Sequence, residues 1–375
     1  MTVFICVGCD TVLSAPVSQV ALPVHTHQKW GNGVLLPVLM DSGTYAVDPA
    51  PWGPPRRRWS EVGVDEAAAR GVFAPVYALS FGAPGAIVVA PGDTRGTVLI
   101  PGRRGGYCCG LDGSDGPNLA CEQCGRAVAS RVDDCSLWQS VRFAPDAVRG
   151  LPTDADEPAG RTVGWEAAMR ERPGTPPVDQ SGMWSPRWEA AAGAGLAHLL
   201  AASSGMPVAV PDGLPTDMFG RALDTLLPAG TSVKTGASAG TAVKAAASTG
   251  TPVKTAWLAG PGLPRTDPAP DIFLVPRHPR TGDPWQPSST AQTVPLPADV
   301  WAHLAFPGER MPVPATGGLP DDVLRDDPLP MRPGRLFRPD WEVFLDNLAR
   351  LPAVRQPWLR SIYDRLHDRP YDRPF

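Results

Sequence analysis

CVGCD at residues 6–10 and CEQCG at residues 121–125 are the two stretches that decide how the first part of this chain folds. In each stretch two residues separate a pair of cysteines. This spacing lets one tight turn direct both sulfurs toward a single tetrahedral ion. The residue after the second cysteine often needs a positive φ, which glycine adopts without strain and aspartate tolerates better than most residues. The two stretches therefore predict a shared metal site.

The predicted ligands of this site are four cysteines: Cys6, Cys9, Cys121 and Cys124. Their two turns resemble the knuckles of a zinc ribbon, so the expected ion is Zn²⁺. Four thiolates complete a tetrahedral shell and leave no position for a substrate, whereas a catalytic zinc keeps one position open. The sequence therefore predicts a structural zinc and assigns no catalytic or cofactor-binding residue.

The two cysteine pairs lie far apart in the chain, with 111 residues between Cys9 and Cys121. Closing so long a loop costs only about 2 kcal/mol more than closing one of about 15 residues, because the cost grows with the logarithm of length. A structural zinc contributes on the order of 10–16 kcal/mol. The separation is therefore compatible with one site and implies a β-rich domain inserted between its two halves.

Other ligand sets remain open at this point. A local site would combine one of two adjacent cysteines with three later ones: Cys108 or Cys109 with Cys121, Cys124 and Cys135. A second zinc would need His25 or His27 to complete its ligands. Adjacent cysteines on a strand would face opposite sides of it, so Cys108 and Cys109 are not expected to serve one ion. If Cys108, Cys109 and Cys135 bind no metal, we expect them to be buried as small hydrophobic side chains.

Composition is typical of a folded, non-membrane protein. The 375 residues are 43% hydrophobic and 19% charged, with a net charge of −4. No apolar run reaches the roughly 18 residues that a membrane-spanning helix requires, and the N-terminus lacks the features of a signal peptide. We therefore expect a cytoplasmic protein without a membrane partner, in whose reducing surroundings paired cysteines favour metal over disulfides.

The pattern of apolar residues predicts an α+β fold. Residues 1–150 contain short apolar runs, such as 34–40 and 86–90, separated by glycine and proline, which indicates a β-rich domain carrying the zinc-ribbon-like site. Residues 151–187 have the composition of a linker. Residues 188–375 alternate helical and strand patterns, which indicates a mixed α/β domain.

Two features mark the second domain. A ten-residue repeat at 229–258 is poor in large apolar groups, so we expect a low-complexity insertion rather than part of a core. An upstream helix is expected to be capped by Thr216 or Asp217 and to run through Leu227. The domain ends in two short amphipathic helices, the first capped by Asp340 and the second with Pro357 in its first turn.

Four phrases in the first domain carry a resemblance to known sequences: VGCD at 7–10, GYCCGLDG at 106–113, DGPN at 115–118 and DDCSLW at 133–138. With them the first domain resembles an uncharacterised group of actinobacterial proteins that have cysteine pairs of the zinc-ribbon kind. The resemblance implies no activity and adds no mechanism.

The leading functional interpretation is a zinc-binding protein that acts by interaction, with a protein as the favoured partner. The sequence contains no phosphate-binding loop, nucleophile elbow or dinucleotide fingerprint. The alternative is an enzyme whose site at the domain interface uses groups outside any motif: His25, His27, Asp112 or Asp115. A further alternative is a nucleic-acid-binding accessory protein that uses Arg56, Arg57, Arg58 and the basic tail at 331–375.

Overall fold

A computed structural model of the chain describes residues 1–33, 35–106, 108–153, 164–170, 175–179, 182–228, 252–306 and 333–368. The chain forms two compact units. The first comprises Met1–Val163 with Pro279–Gly282, and the second comprises Gly164–His278 with Asp283–Phe375. Helices and strands are mixed, and the β-rich N-terminal part carries a cysteine cluster, which confirms the predicted α+β class.

The described part of the first unit consists mainly of short strands with one short helix, α1 (Val64–Ala69). The strands are β1 (Thr2–Cys6), β2 (Ser18–Gln19), β3 (Thr44–Asp48), β4 (Arg56–Arg58), β5 (Ala78–Ser80), β6 (Ala86–Val89), β7 (Thr97–Leu99), β8 (Leu119–Cys121), β9 (Ala127–Val132), β10 (Ser140–Phe143) and β11 (Val148–Pro152).

Seven of these strands form one sheet in the order β2-β3-β6-β10-β9-β8-β7. Its pairs are antiparallel except for β2 with β3. Strand β1 pairs separately with β11, and β4 pairs with β5, both antiparallel. Antiparallel pairs can be joined by short turns, which agrees with the glycine- and proline-rich punctuation of this part of the sequence.

The core of the first unit joins β1 to the seven-stranded sheet. Phe4 of β1 packs edge-on against Tyr45 of β3 and lies against Phe143 of β10, with ring centroids 5.0 and 6.2 Å apart. Cys6 and Cys121, the last residues of β1 and β8, are fully buried in the same cluster. The ends of two separate strands are thereby held next to each other inside the core.

The second unit contains a parallel sheet with helices. Its strands are β12 (Val208–Ala209), β13 (Lys254–Leu258), β14 (Ile272–Pro276) and β15 (Gln292–Leu296), paired in sequence order. Its helices are α2 (Trp165–Arg170), α3 (Pro186–Ser203), α4 (Leu214–Leu226), α5 (Ala298–Ala305), α6 (Trp341–Arg350) and α7 (Pro357–His367).

Small residues allow helix α3 to pack closely on two sides. A Cβ atom at Gly193 would lie 2.4 Å from the carbonyl oxygen of Asp340, at the start of α6. A Cβ atom at Gly195 would lie 2.9 Å from Leu296 of β15 and 3.1 Å from Phe219 of α4. The helix is therefore the central element of this unit, and its glycines set the distances to its neighbours.

The predicted helix starts agree with the structure at α6 but not at α4. Asp340 caps α6 as predicted, because its carboxylate accepts hydrogen bonds from the backbone amides of Glu342 and Val343. Helix α4 begins at Leu214 after the N-cap Gly213, so the expected cap at Thr216 or Asp217 was wrong, whereas Leu227 ends the helix as its C-cap.

The other differences concern strands. The described residues of 34–40 form no strand, apart from an isolated bridge at Val38. Residues 229–251 of the predicted repeat lie outside the described residues, while Lys254–Leu258 at its end form β13 of the parallel sheet. The domain limits at residues 150 and 188 stay predictions, although strand β11 continues past residue 150.

Within the described residues, we find no helix with both the length and the apolar character needed to cross a bilayer.

Candidate metal centre

The first cysteine pair lies in a tight turn at the end of β1. The amide of Asp10 donates to the carbonyl oxygen of Cys6 over 3.0 Å, and the amide of Cys6 donates to the carbonyl oxygen of Thr11 over 2.9 Å. Asp10 has a φ of 59°, which closes the turn. The amide of Gly8 lies 3.4 Å from the sulfur of Cys6 and donates to it. The turn thus directs a backbone donor at a sulfur, as a thiolate ligand requires.

The second cysteine pair lies in an equivalent turn at the end of β8. The amide of Gly125 donates to the carbonyl oxygen of Cys121 over 2.9 Å, and the amide of Cys121 donates to the carbonyl oxygen of Arg126 over 2.8 Å. Gly125 has a φ of 73°. Corresponding positions therefore make the same two hydrogen bonds in both turns, and the residue after the second cysteine has a positive φ in each. We call the two turns the knuckles.

The two knuckles bring their four sulfurs together. The sulfurs of Cys6 and Cys124 are 3.6 Å apart, and those of Cys9 and Cys121 are 3.5 Å apart. All four lie within 4.8 Å of one another. Tetrahedral zinc with bonds of about 2.3 Å places its sulfurs about 3.8 Å apart. The cluster can therefore hold a metal ion, and each knuckle supplies one buried and one outer cysteine.

The two outer thiols of the cluster, Cys9 and Cys124, differ in acidity. Hydrogen bonds with the side chain and backbone of Thr11 lower the pKa of Cys9 to about 6. At Cys124 a backbone hydrogen bond at Arg126 lowers the pKa, but the neighbouring thiols, first Cys9, and desolvation outweigh it and raise the pKa to about 12. Four sulfurs at this distance cannot all be ionised without a cation between them. A bound cation would remove this conflict.

A second cysteine cluster lies apart from the first set of ligands. It contains Cys108, Cys109 and Cys135 with the carboxylate of Asp134, all within 4.8 Å of one another. The sulfurs of Cys108 and Cys135 are 3.4 Å apart. The expectation that the adjacent cysteines face opposite sides of a strand was wrong, because residues 108–110 form a bend rather than a strand. The local ligand set that mixes these cysteines with Cys121 and Cys124 is not the one that the structure assembles.

Asp134 organises the bend. Its Oδ2 accepts hydrogen bonds from the consecutive amides of Cys108, Cys109 and Gly110 at 3.4, 3.1 and 3.1 Å. Its Oδ1 accepts from the amide and hydroxyl of Ser136 at 3.1 and 3.0 Å. Burial raises the pKa of Asp134, but these hydrogen bonds, first those from Ser136, outweigh burial and hold the pKa at about 2. The ionised carboxylate therefore fixes the positions of the neighbouring cysteines.

The acidity of Cys135 reflects the same crowding of thiols. Hydrogen bonds with Cys109 and Cys108, together with desolvation, raise its pKa to about 12. Sequence reasoning missed this cluster because it treated residues 108 and 109 as a strand. Glycines at 105, 106 and 110 were the available signal that this segment turns.

The remaining candidate residues have local structural contacts. The ring of His25 lies 4.2 Å from that of Trp138, and Nε2 of His27 lies 3.3 Å from the Asp48 carboxylate. Asp112 accepts hydrogen bonds from the amide and hydroxyl of Ser114, and Asp115 accepts one from the amide of Gly105. In the part of the chain that the structure describes, only the two cysteine clusters group three or more histidine, cysteine or acidic side chains closely enough to hold one ion. Neither histidine belongs to them.

The predicted arginine segment forms an exposed strand. All three residues of β4, Arg56, Arg57 and Arg58, are exposed. The guanidinium of Arg57 lies 4.3 Å from the ring centre of Phe81, and that of Arg70 lies 3.9 Å from the same ring. Tyr77, just before the partner strand β5, is 75% exposed. Exposed arginines and aromatic side chains therefore lie close together on and beside this strand, and we call β4 the arginine strand.

Comparison with known proteins returns no match to a family model, to a curated protein or to a solved structure. The chemistry available at the first cluster is that of four thiolates, which favour a soft or borderline metal ion in tetrahedral geometry.

Proposed function

We propose that this chain is a zinc-dependent binding protein whose first unit is stabilised by one structural Zn²⁺ at Cys6, Cys9, Cys121 and Cys124. One observation carries the proposal: two knuckles with equivalent hydrogen bonds and equivalent positive φ values direct four sulfurs to one point. Such equivalence is expected of a zinc-ribbon-like site, where both turns must present sulfur in the same way.

The position of the site supports a structural role for the ion. Cys6 and Cys121 end two strands of the core and are fully buried, so an ion held there would cross-link β1 to β8. Four thiolates complete the shell of the ion and exclude a substrate from it. The ion would therefore stabilise the unit, and recognition would fall to the protein surface. A protein remains the favoured partner.

The test is the variant Cys124→Ser in the full chain. We expect it to bind one zinc ion fewer than the wild type and to lose several kcal/mol of unfolding free energy, because zinc binding contributes to folding. Metal content by elemental mass spectrometry and thermal unfolding are measured in parallel. Glu122→Gln changes an exposed side chain of the same knuckle without removing a sulfur, so it should retain both properties.

Two results would contradict the proposal of a structural zinc. If Cys124→Ser loses zinc and its unfolding is unchanged, the ion does not stabilise the unit. If the purified wild-type protein is coloured and contains iron, a single iron ion occupies the four thiolates instead of zinc, since tetrahedral sulfur sites suit both metals.

A second candidate function is binding of single-stranded nucleic acid at the arginine strand. The observation that favours it is the combination of three exposed arginines on β4 with the exposed ring of Tyr77. Such surfaces bind phosphates through the cations and bases through aromatic stacking. Arg57 lies over Phe81, and this contact orients its guanidinium.

Fluorescence anisotropy with a labelled single-stranded oligonucleotide tests this candidate. Binding should weaken steeply with salt, and Arg57→Glu should reduce it, because each phosphate contact releases counterions. Arg221→Glu, the same charge change at an exposed position of α4, is the control. Equal loss in both variants would indicate a general charge effect rather than a site at the arginine strand.

A further inference from the structure

The second cysteine cluster presents three sulfurs at the protein surface. Cys108 and Cys109 are exposed and Cys135 is half-buried, and their sulfurs lie within 4.8 Å of one another. Sulfurs at this separation match the edges of a metal–thiolate polyhedron. The cluster shares no residue with the four-cysteine site, so any ion that it holds would be a second ion.

The backbone constructs this cluster. Three consecutive amides, those of Cys108, Cys109 and Gly110, donate to one carboxylate oxygen of Asp134, which immediately precedes Cys135. Leu111 and Asp133 exchange two backbone hydrogen bonds beside it, at 2.9 and 2.7 Å. The bend that carries two of the sulfurs is therefore tied at several points to the segment that carries the third.

Two glycines are required for this arrangement. A Cβ atom at Gly106 would lie 1.4 Å from the carbonyl oxygen of Gly110. A Cβ atom at Gly110 would lie 1.9 Å from the carbonyl oxygen of Asp133. No side chain fits at either position, so both glycines are necessary for the approach of the two segments.

Asp134 is not available as a fourth ligand. A carboxylate offers about four lone-pair sites, and five hydrogen bonds from Cys108, Cys109, Gly110 and Ser136 already occupy its two oxygens. It positions the sulfurs instead, as groups around metal ligands commonly do. The protein thus supplies three ligands at this cluster and no fourth among the described residues.

We propose that Cys108, Cys109 and Cys135 form a second Zn²⁺ site with three thiolate ligands and a fourth coordination position open to an exchangeable ligand. Three thiolates and one divalent ion carry a net charge of −1. The open position therefore favours a neutral donor, such as water or an imidazole, over an anion. Sites with three protein ligands and one open position are the arrangement found in catalytic zinc centres.

Zinc stoichiometry of the full chain tests the ligand set. Purified under reducing conditions with zinc, the wild type should contain two ions per chain, and both Cys135→Ser and Cys108→Ser should contain one. Ser114→Ala, on the same exposed segment but without a sulfur, should retain two. Because Cys124→Ser removes the other ion, failure of this proposal is distinguishable from failure of the structural site.

Spectroscopy tests the open position. With Co²⁺ in place of zinc, added imidazole should change the visible absorption of the wild type and leave that of Cys135→Ser unchanged. An unchanged wild-type spectrum would show that the fourth position is closed. A wild type with one zinc, unaffected by Cys135→Ser, would overturn the second site altogether. So would a chain lighter by two hydrogens, in which Cys108 and Cys135 are joined as a disulfide under these conditions.

Discussion

At the scale of single residues, the knuckles depend on two backbone positions. Asp10 and Gly125 occupy the same place after the second cysteine, and both have positive φ values. The sequence allowed this to be predicted, because the residue types at these positions are among the few that tolerate such a conformation. It did not show the buried contacts of the adjacent core, which depend on residues distant in the chain.

Changing Gly125 to alanine should destabilise the zinc-loaded protein by about 1–2 kcal/mol, the cost of a positive φ for a residue with a Cβ atom. Open space surrounds the position, so a steric clash would not contribute. Gly92→Ala, also in open space but without a positive φ, is the control and should cost less. Urea unfolding of both variants measures the difference. Equal losses of stability in the two variants would show that the positive φ at residue 125 adds nothing to the cost of a side chain there.

A buried ion pair is the second feature at this scale. Arg142 lies 2.7 Å from the Asp48 carboxylate, and their side chains are 2% and 0% exposed. The same guanidinium donates to the carbonyl and hydroxyl oxygens of Thr26 at 2.9 Å and lies 4.8 Å from the ring centre of Trp52. Neither charged residue belongs to a local motif, so no sequence pattern indicated the pair.

Asp48→Asn should destabilise the protein by about 3–5 kcal/mol at neutral pH, because it leaves the Arg142 cation buried without a counterion. The matched control is Asp133→Asn. It removes the partner of Arg131 from a pair whose side chains are 42% and 39% exposed, and it should cost less than about 1 kcal/mol. Urea unfolding at neutral pH compares the two. Similar losses would mean that the buried pair contributes no more than an exposed one.

The same carboxylate makes stability depend on acid pH. Burial raises the pKa of Asp48, but hydrogen bonding and charge from His27 and Arg142 outweigh burial and lower it from 3.8 to about 2. The folded state thus favours the ionised form. This stabilisation, about 2 kcal/mol, is complete above the unfolded pKa of about 4 and is lost as pH falls toward about 2.

Asparagine at position 48 cannot titrate. The difference in unfolding free energy between wild type and Asp48→Asn should therefore shrink as pH falls from about 5 to about 2. Urea unfolding across this range measures it. Asp134 titrates in the same window in both proteins, so its effect cancels in the difference. A difference that stays constant would show that Asp48 keeps its ordinary pKa in the folded state.

At the scale of elements, the C-terminal helices were predictable and strand β13 of the parallel sheet was not. Asp340 and Pro357 mark helix starts through interactions that involve only residues close to them in sequence. Strand β13 follows the repeat and begins at Lys254, whose ammonium donates to the carbonyl oxygen of Ala202 over 2.7 Å. That contact joins residues far apart in sequence, so composition alone placed Lys254–Leu258 wrongly in the insertion.

Helix α3 illustrates an element whose packing depends on a missing side chain. Gly193→Ala should destabilise the protein by about 1–3 kcal/mol, because the added methyl group meets backbone atoms of Asp340 and Phe344. The higher helix propensity of alanine offsets only about 1 kcal/mol of the loss. Gly220→Ala in α4 meets only the side chain of Thr216, so it should be neutral or stabilising. Urea unfolding measures whether each change raises or lowers the free energy of unfolding. If both changes stabilise the protein, α6 moves away from the added methyl group at no cost.

At the scale of the whole molecule, all the candidate metal ligands lie in one of the two units. All seven cysteines lie at or before residue 135, within the first unit, and the second unit contains none. The sequence predicted that distant cysteine pairs would meet, because cysteine spacing is a strong local signal. It did not predict the seven-stranded order of the sheet between them, because strand order depends on contacts that no short motif records.

Removal of zinc should therefore loosen one unit and spare the other. If the proposed structural zinc is present, a chelator takes away binding energy that belongs to the folding of the first unit, so the strands of that unit should open more often. In hydrogen exchange followed by mass spectrometry, peptides covering β1 and β8 should exchange much faster after chelation, and peptides from the core helix α3 should exchange at nearly the same rate. Added zinc should restore protection in the wild type but not in Cys124→Ser. If α3 loses protection as fully as β1, folding of the second unit depends on the metal as well. If neither changes, the ion has no structural role.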